Sequence, residues 1–193
     1  RTVRARADVP NDISGDATTL FRILQRHSES VLQEMRWRLS SRAEFERLQR
    51  ENPETLTDPE RAARFLYLQR LAFGGKIAGR SFGIDRRSPA RFDMEKLPSM
   101  LADAHERLSG VVIERLPYAE VIRRYDGPAT LFYLDPPYWN CERDYGDGVF
   151  GRDDFARLAD QLAGISGRFI LSINDTPGAR EVFGGFAFEE VET

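Results

Sequence analysis

The stretch Leu131-Phe132-Tyr133-Leu134-Asp135-Pro136-Pro137-Tyr138-Trp139 decides how this chain is read. Four apolar residues running into an Asp-Pro-Pro turn read as a buried strand with a carboxylate at its carboxyl end. The two prolines remove two backbone N–H donors and fix φ near about −65°, and the first of them keeps Asp135 extended. The turn therefore offers acceptors without competing donors, flanked by two aromatic faces. Such a set suits a flat heterocycle with an exocyclic amino group. Asp135 and the Pro136 carbonyl each accept one amino hydrogen, and Tyr138 stacks on the ring. The nitrogen lone pair is thereby localised, and a direct in-line transfer needs positioning and charge stabilisation, with no general base in its first step. Asp and Pro are also common turn punctuation; the apolar run entering this turn and the aromatics leaving it set it apart.

Working outward, the second half alternates strand and helix patterns. Val111-Val112-Ile113 reads as a strand, Tyr118 to Tyr125 as a helix and Leu131 to Leu134 as a strand. A loop with Gly146, Gly148 and Gly151 leads to a helix over Asp153 to Ala163, with Phe155, Leu158 and Leu162 on one face. Phe169 to Ile173 is a further strand, Pro177 to Val182 a short helix and Phe186 to Val191 a last strand. This alternation implies an α/β fold with a doubly wound, mostly parallel sheet. Ligands of such sheets bind beyond the carboxyl ends of the strands, where Asp135 lies. The first half is helical. Asp16 to Leu39 fits one bent helix or two short ones, Glu51 to Pro59 is a polar connector, and Pro59 starts a helix through about Ala72. Phe73 to Gly83 combines glycines, aromatics and basic residues as a cationic loop or hairpin. It lacks P-loop spacing, which disfavours a nucleoside triphosphate.

A chain of 193 residues, 41% hydrophobic and 31% charged, can bury one core with a small appended lobe. It has no apolar run near the roughly 20 residues of a membrane span and no charged-then-apolar leader. The expectation is a soluble, cytoplasmic protein without membrane attachment. The single cysteine, Cys141, excludes an intramolecular disulfide and a cysteine-based zinc site, so no metal is expected. His27 and His105 sit in helical patterns as structural or surface residues. The net charge of −3 does not by itself suggest a nucleic-acid partner. Its distribution is uneven: the first hundred residues are net basic and the remainder net acidic. From Arg61 through Arg64, Arg70, Lys76, Arg80, Arg86 and Arg87 to Arg91, the only acidic residue is Asp85. That pattern suits a face that meets phosphate; on charge alone, a solvated helix followed by a basic loop fits equally well.

Asp135-Pro136-Pro137-Tyr138 at a strand end resembles the catalytic motif of S-adenosylmethionine-dependent amino-group methyltransferases. Three further segments narrow the resemblance to the Dam-type adenine-specific DNA methyltransferases. Asn11-Asp12-Ile13-Ser14-Gly15-Asp16 looks like the segment whose acidic residue holds the cofactor ribose hydroxyls, and Asp12 matches that residue. Phe65 to Gly83 is similar to the family's helix and DNA-contacting loop. Ser172-Ile173-Asn174-Asp175-Thr176 resembles the strand-end motif that shapes the target-base pocket. The resemblance covers most of the chain. It implies a Rossmann-like class I methyltransferase core over residues 1–25 and 95–193, with a helical target-recognition insertion over 26–94. It further implies S-adenosylmethionine as cofactor at Asp12 and Asp135, and catalysis by Asp135, Pro136, Pro137 and Tyr138. Lys76, Arg80, Arg86 and Arg87 are the implied DNA contacts, and Trp139 and Asn174 the implied target-base pocket. The resemblance also implies double-stranded DNA as partner, the adenine exocyclic N6 as acceptor, and restriction-modification as one of the settings. Asn11-Asp12 and Asn174-Asp175 also read as turns or helix caps.

One departure stands out. The family normally carries a Phe-x-Gly-x-Gly segment before the acidic residue, and this sequence starts at Arg1, a few residues before Asp12. Phe183-Gly184-Gly185 lies too late to replace it. The expectation is a member completed by an N-terminal segment or a second chain. The alternatives are a catalytically silent DNA-binding relic, and an amino-methyltransferase acting on cytosine or RNA.

Overall fold

The computed structural model describes residues 7–73, 80–83, 95–146 and 148–192, within two compact units, Arg1–Leu116 and Pro117–Thr193. In the first unit four helices pack together: α1 (Gly15–Met35), α2 (Arg42–Arg50), α3 (Asp58–Leu71) and α4 (Leu97–Leu108). Ser14 caps α1, its Oγ accepting the Ala17 N–H at 3.3 Å. Asp16 in the first turn adds a negative charge where the helix dipole favours one. The helix is single but bent, because His27 leaves helical geometry at φ −143°, ψ 43°. Leu20, Ile23, Leu24, Val31 and Met35 line its buried face, packed with Phe45, Leu48, Leu68 and Leu101 of the other helices. Each such side chain, once buried, contributes about 1.5–3 kcal/mol.

Helix α3 starts with a capping box: the Glu60 carboxylate accepts from both the N–H and the Oγ of Thr57, at 2.8 and 2.7 Å. Tyr67, fully buried within it, donates its hydroxyl to the Leu39 carbonyl at 2.6 Å and accepts from the Ser41 N–H at 3.3 Å. That pair ties α3 to the α1–α2 connection. Beyond α3, residues 71–73 and 81–83 pair antiparallel, with Phe73 N–H to Ser81 O and Gly83 N–H to Leu71 O, both 2.8 Å. This is the stem of the expected cationic hairpin.

Val111-Val112-Ile113 is not a regular strand. It makes a single parallel bridge, Asn11 to Glu114, flanked by hydrogen bonds from Val112 N–H to Asp8 O and Glu114 N–H to Pro10 O. Pro10 has no N–H to return to the ladder, so the pairing does not extend. Asn11 then clamps Leu116 with its side chain, accepting its N–H at 2.9 Å and donating to its carbonyl at 3.0 Å.

The second unit holds α5 (Tyr118–Tyr125), β1 (Leu131–Leu134), α6 (Arg152–Ala163), β2 (Arg168–Leu171) and α7 (Pro177–Val182). Strands β1 and β2 are parallel, in register from Leu131 opposite Arg168 to Leu134 opposite Leu171, with α6 as the crossover helix. Phe132, Leu134, Phe169 and Leu171 join a core with Ile122, Phe155, Leu158, Leu162 and Phe183. Their alternating neighbours point away: Leu131, Tyr133 and Ile170 are 56%, 69% and 54% exposed. The reading of β1 as a buried strand is therefore corrected, because within this unit the helices cover one face of the sheet. Phe186 to Val191 is irregular chain rather than a strand. It is fastened by side chains instead, Phe186 edge-on to Phe169 at 5.0 Å and Arg180 over Phe188 and paired with Glu190. The architecture is mixed helix and strand with a small parallel sheet. Among the described residues no helix is long and apolar enough to cross a membrane.

One carboxylate sets the start of β2. Asp126, just past α5, accepts the N–H groups of Ser166 and Gly167 at 2.9 to 3.0 Å. Gly167 needs to be glycine, since a Cβ there would stand 2.8 Å from Thr130 O and 3.0 Å from Gly127 O. The two N–H groups hold the Asp126 carboxyl below its ordinary value. The folded form thus ionises at lower pH than the unfolded chain, so the contribution is complete above the unfolded value and lost as pH falls through the folded one. Asp126→Asn is expected to flatten the acid limb of the Tm–pH curve, over which the wild-type carboxylate takes up its proton. Thermal melts of both proteins check this, and parallel curves would contradict it.

Candidate active site at the carboxyl end of β1

Strand β1 delivers the Asp135-Pro136-Pro137-Tyr138 turn at its carboxyl end. Pro137 is buried and Pro136 half-buried, whereas Asp135 and Tyr138 are exposed, Tyr138 by 49%. The Cys141 N–H closes the turn onto the Tyr138 carbonyl at 2.7 Å. Asn140 takes φ +71°, a left-handed value that asparagine tolerates better than most residues. Among the described residues the Asp135 carboxylate has no hydrogen bond and no ion pair. Its acceptors are free, and the prolines beside it bring no donor.

The turn is held from beneath. Asn174, beyond β2, accepts the Trp139 N–H on Oδ1 at 2.6 Å and donates Nδ2 to the Trp139 carbonyl at 3.2 Å. The Trp139 indole lies 4.9 Å from the Phe155 ring, centroid to centroid, and the Arg152 guanidinium sits 4.0 Å from the indole centroid. Arg152 is itself held by Asn140 Oδ1 at 2.6 Å and Glu142 Oε1 at 2.9 Å. Asp154 secures the start of α6, accepting the Gly151 N–H at 2.7 Å and the Tyr118 hydroxyl at 3.1 Å. Burial, and then the adjacent Asp154 charge, raises the Tyr118 phenol above its ordinary value, so it stays a donor at neutral pH.

The structure brings Asp135, Pro136, Pro137, Tyr138, Trp139 and Asn174 into one region of the second unit. Asp12 lies in the first unit, half-buried just past the Asn11–Glu114 bridge. Its Oδ1 accepts the Ser14 N–H at 2.8 Å. The carboxylate keeps acceptor capacity on Oδ2, and that acceptor fits the paired hydroxyls of a ribose. Arg80 is half-buried, its guanidinium 5.2 Å from the Phe65 ring centroid and 3.3 Å from Gln69 Oε1. Burial, and then the Arg64 charge, lowers its pKa. Lys76, Arg86 and Arg87 lie outside the described residues. Cys141 is exposed, and among the described residues no group of His, Cys, Asp or Glu is placed to hold a metal ion.

Sequence reasoning passed over Arg152, Phe155 as a ring partner of Trp139, and Gly178. Gly178 had a signal: glycine is a poor helix residue, and it stands in the first turn of α7 behind Pro177.

Residues 5–193 match the family model of the D12 class N6 adenine-specific DNA methyltransferases. The chain is also similar to the Type II methyltransferase M.CviBI of Paramecium bursaria Chlorella virus NC1A. The two are 22% identical over 186 residues, which cover 95% of this chain and 71% of that protein.

Proposed function

This chain belongs to the D12 class of N6 adenine-specific DNA methyltransferases, and from that premise we propose that it methylates N6 of an adenine flipped from double-stranded DNA, with S-adenosylmethionine as cofactor. The observation that carries the reading is the unengaged Asp135 carboxylate beside the exposed Tyr138 ring, on a turn whose two prolines donate nothing. Asp135 and the Pro136 carbonyl each take one amino hydrogen. The nitrogen lone pair is drawn out of conjugation and aimed along the transfer line. Tyr138 stacks on the flipped base, and the buried Pro137 keeps both acceptors at a fixed height. When bound, S-adenosylmethionine supplies an electrophilic methyl group. Asp135 stabilises the positive charge that grows on the amino nitrogen.

Asp12 holds the ribose hydroxyls of the cofactor. Trp139 and Asn174 shape the target-base pocket from behind the turn. Lys76, Arg80, Arg86 and Arg87 meet DNA phosphates and base edges from the cationic loop and its flank. In this reading residues 1–25 and 95–193 form a Rossmann-like, doubly wound core and residues 26–94 a target-recognition insertion, in a cytoplasmic protein.

Calorimetric titration with S-adenosylmethionine tests the cofactor assignment. Asp12→Ala is expected to weaken binding by about 10- to 100-fold, the worth of hydrogen bonds to a charged acceptor. Equal affinity in the variant would remove Asp12 from the site. No binding to the wild-type chain would favour the DNA-binding relic instead.

A further inference from the structure

A catalytic turn that works by positioning needs something that fixes its shape, and Asp135 and Tyr138, exposed and pointing outward, cannot do so themselves. Trp139 follows them directly in the chain and is held through both its backbone and its ring. Its backbone donor and acceptor are both taken by one amide, that of Asn174. Phe155 lies against the indole, and Arg152 sits over the ring while gripping Asn140 and Glu142 on the far side of the turn. The third contact is Gly178. A Cβ built there would stand 2.3 to 2.7 Å from Cζ2, Cε2 and Nε1 of the indole, so only glycine leaves the ring its place. These contacts come from α6 and from the segment that runs from the end of β2 into α7. The turn is thus referenced to two other parts of the second unit.

We propose that Asn174, Arg152 and Gly178 are positioning residues that lock Trp139, and through it hold the Asp135–Tyr138 turn in its reactive shape, with Trp139 bracing the target-base pocket from behind. The proposal rests on the methyltransferase reading of that turn. It assigns Asn174's amide to the protein backbone, since both of its polar groups are already engaged. Asn174→Ala frees the Trp139 N–H and carbonyl, and Gly178→Ala drives the indole outward.

The test uses a Trp37→Phe background, in which Trp139 is the remaining one of the chain's two tryptophans. Acrylamide quenching of Trp139 is measured in that protein, in Asn174→Ala and in Gly178→Ala, with circular dichroism to establish folding. Methyl transfer to adenine-containing duplexes is measured alongside. In both variants quenching is expected to rise. The kcat is expected to fall by about 10- to 100-fold, as for a displacement of about 1 Å in a positioned group, with KM for DNA and cofactor unchanged. If Gly178→Ala does not fold, Asn174→Ala alone decides. Unmoved quenching overturns the lock. So does altered quenching with intact kcat, and so does a rise in KM for DNA at constant kcat, which would put these residues on the base itself. If the parent chain transfers no methyl group, the activity reading has failed. Quenching still judges the lock in that case, raised values supporting it and unchanged values overturning it.

Discussion

Asp135→Asn is expected to slow methyl transfer by about a hundred- to a thousand-fold while leaving the protein folded. The amide retains one acceptor oxygen and nearly the same shape. It loses the negative charge that stabilises the amino nitrogen as it becomes cationic. It also replaces one acceptor with an N–H2 that faces the hydrogens it should hold. Because the carboxylate is exposed and unpaired among the described residues, stability should change by no more than about 0.5 kcal/mol. For a chain of this size that is a Tm shift of about 1–2 °C. Since the DNA backbone is met by other groups in this reading, the loss should fall on kcat with KM for DNA little changed. Single-turnover transfer assays beside thermal melts check this. A variant with near wild-type kcat would show that Asp135 is not part of the chemistry.

The largest effect on stability is expected from Asp16→Ala. Asp16 receives Arg61 Nε on Oδ1 at 2.6 Å and lies 3.5 Å from Arg64 through Oδ2. Arg64 is buried inside the helical unit, donating Nε to the Leu48 carbonyl at 2.7 Å, and burial lowers its pKa. Arginine cannot shed its proton to escape an apolar site. Glu51 also favours the Arg64 charge, but Asp16 is the carboxylate paired with it, and breaking a buried pair costs about 3–5 kcal/mol in general. Asp16 keeps 19% of its side chain exposed, and the lower end, about 3 kcal/mol, is the expectation. That corresponds to a Tm lowered by about 6–12 °C. The double variant Asp16→Ala, Arg64→Met should recover much of the loss, because a neutral side chain of similar length removes the stranded charge. Chemical denaturation of the set reads this, and a single-variant loss below about 1 kcal/mol would contradict it.

Elements with sharp chemical borders were legible in the sequence. Tyr118–Tyr125 and Pro177–Val182 begin at or just after a proline, and Leu131–Leu134 is an apolar run stopped by Asp-Pro-Pro; all three occur with the boundaries read. Val111–Ile113 and Phe186–Val191 have strand-like composition and failed as strands because a strand is a paired state. Pro10 interrupts the ladder for the first, and ring and ion-pair contacts hold the second. Arg80 shows a different limit. In sequence it belongs to a basic run, but in the structure its guanidinium rests on Phe65, and burial depends on a tertiary contact that charge counting does not contain. The proposed catalytic turn could be argued residue by residue, since its acceptors and aromatic faces belong to contiguous positions. The lock beneath it joins Trp139 to Asn174, 35 residues away, and only the parallel pairing of β1 with β2 brings those two positions together.

The most direct measurement of the central claim is nucleoside mass analysis of duplex DNA after incubation with S-adenosylmethionine and this protein, wild type and Asp135→Asn side by side. The predicted result is N6-methyladenine from the wild type and almost none from the variant. N4-methylcytosine, or equal N6-methyladenine from both proteins, would contradict it.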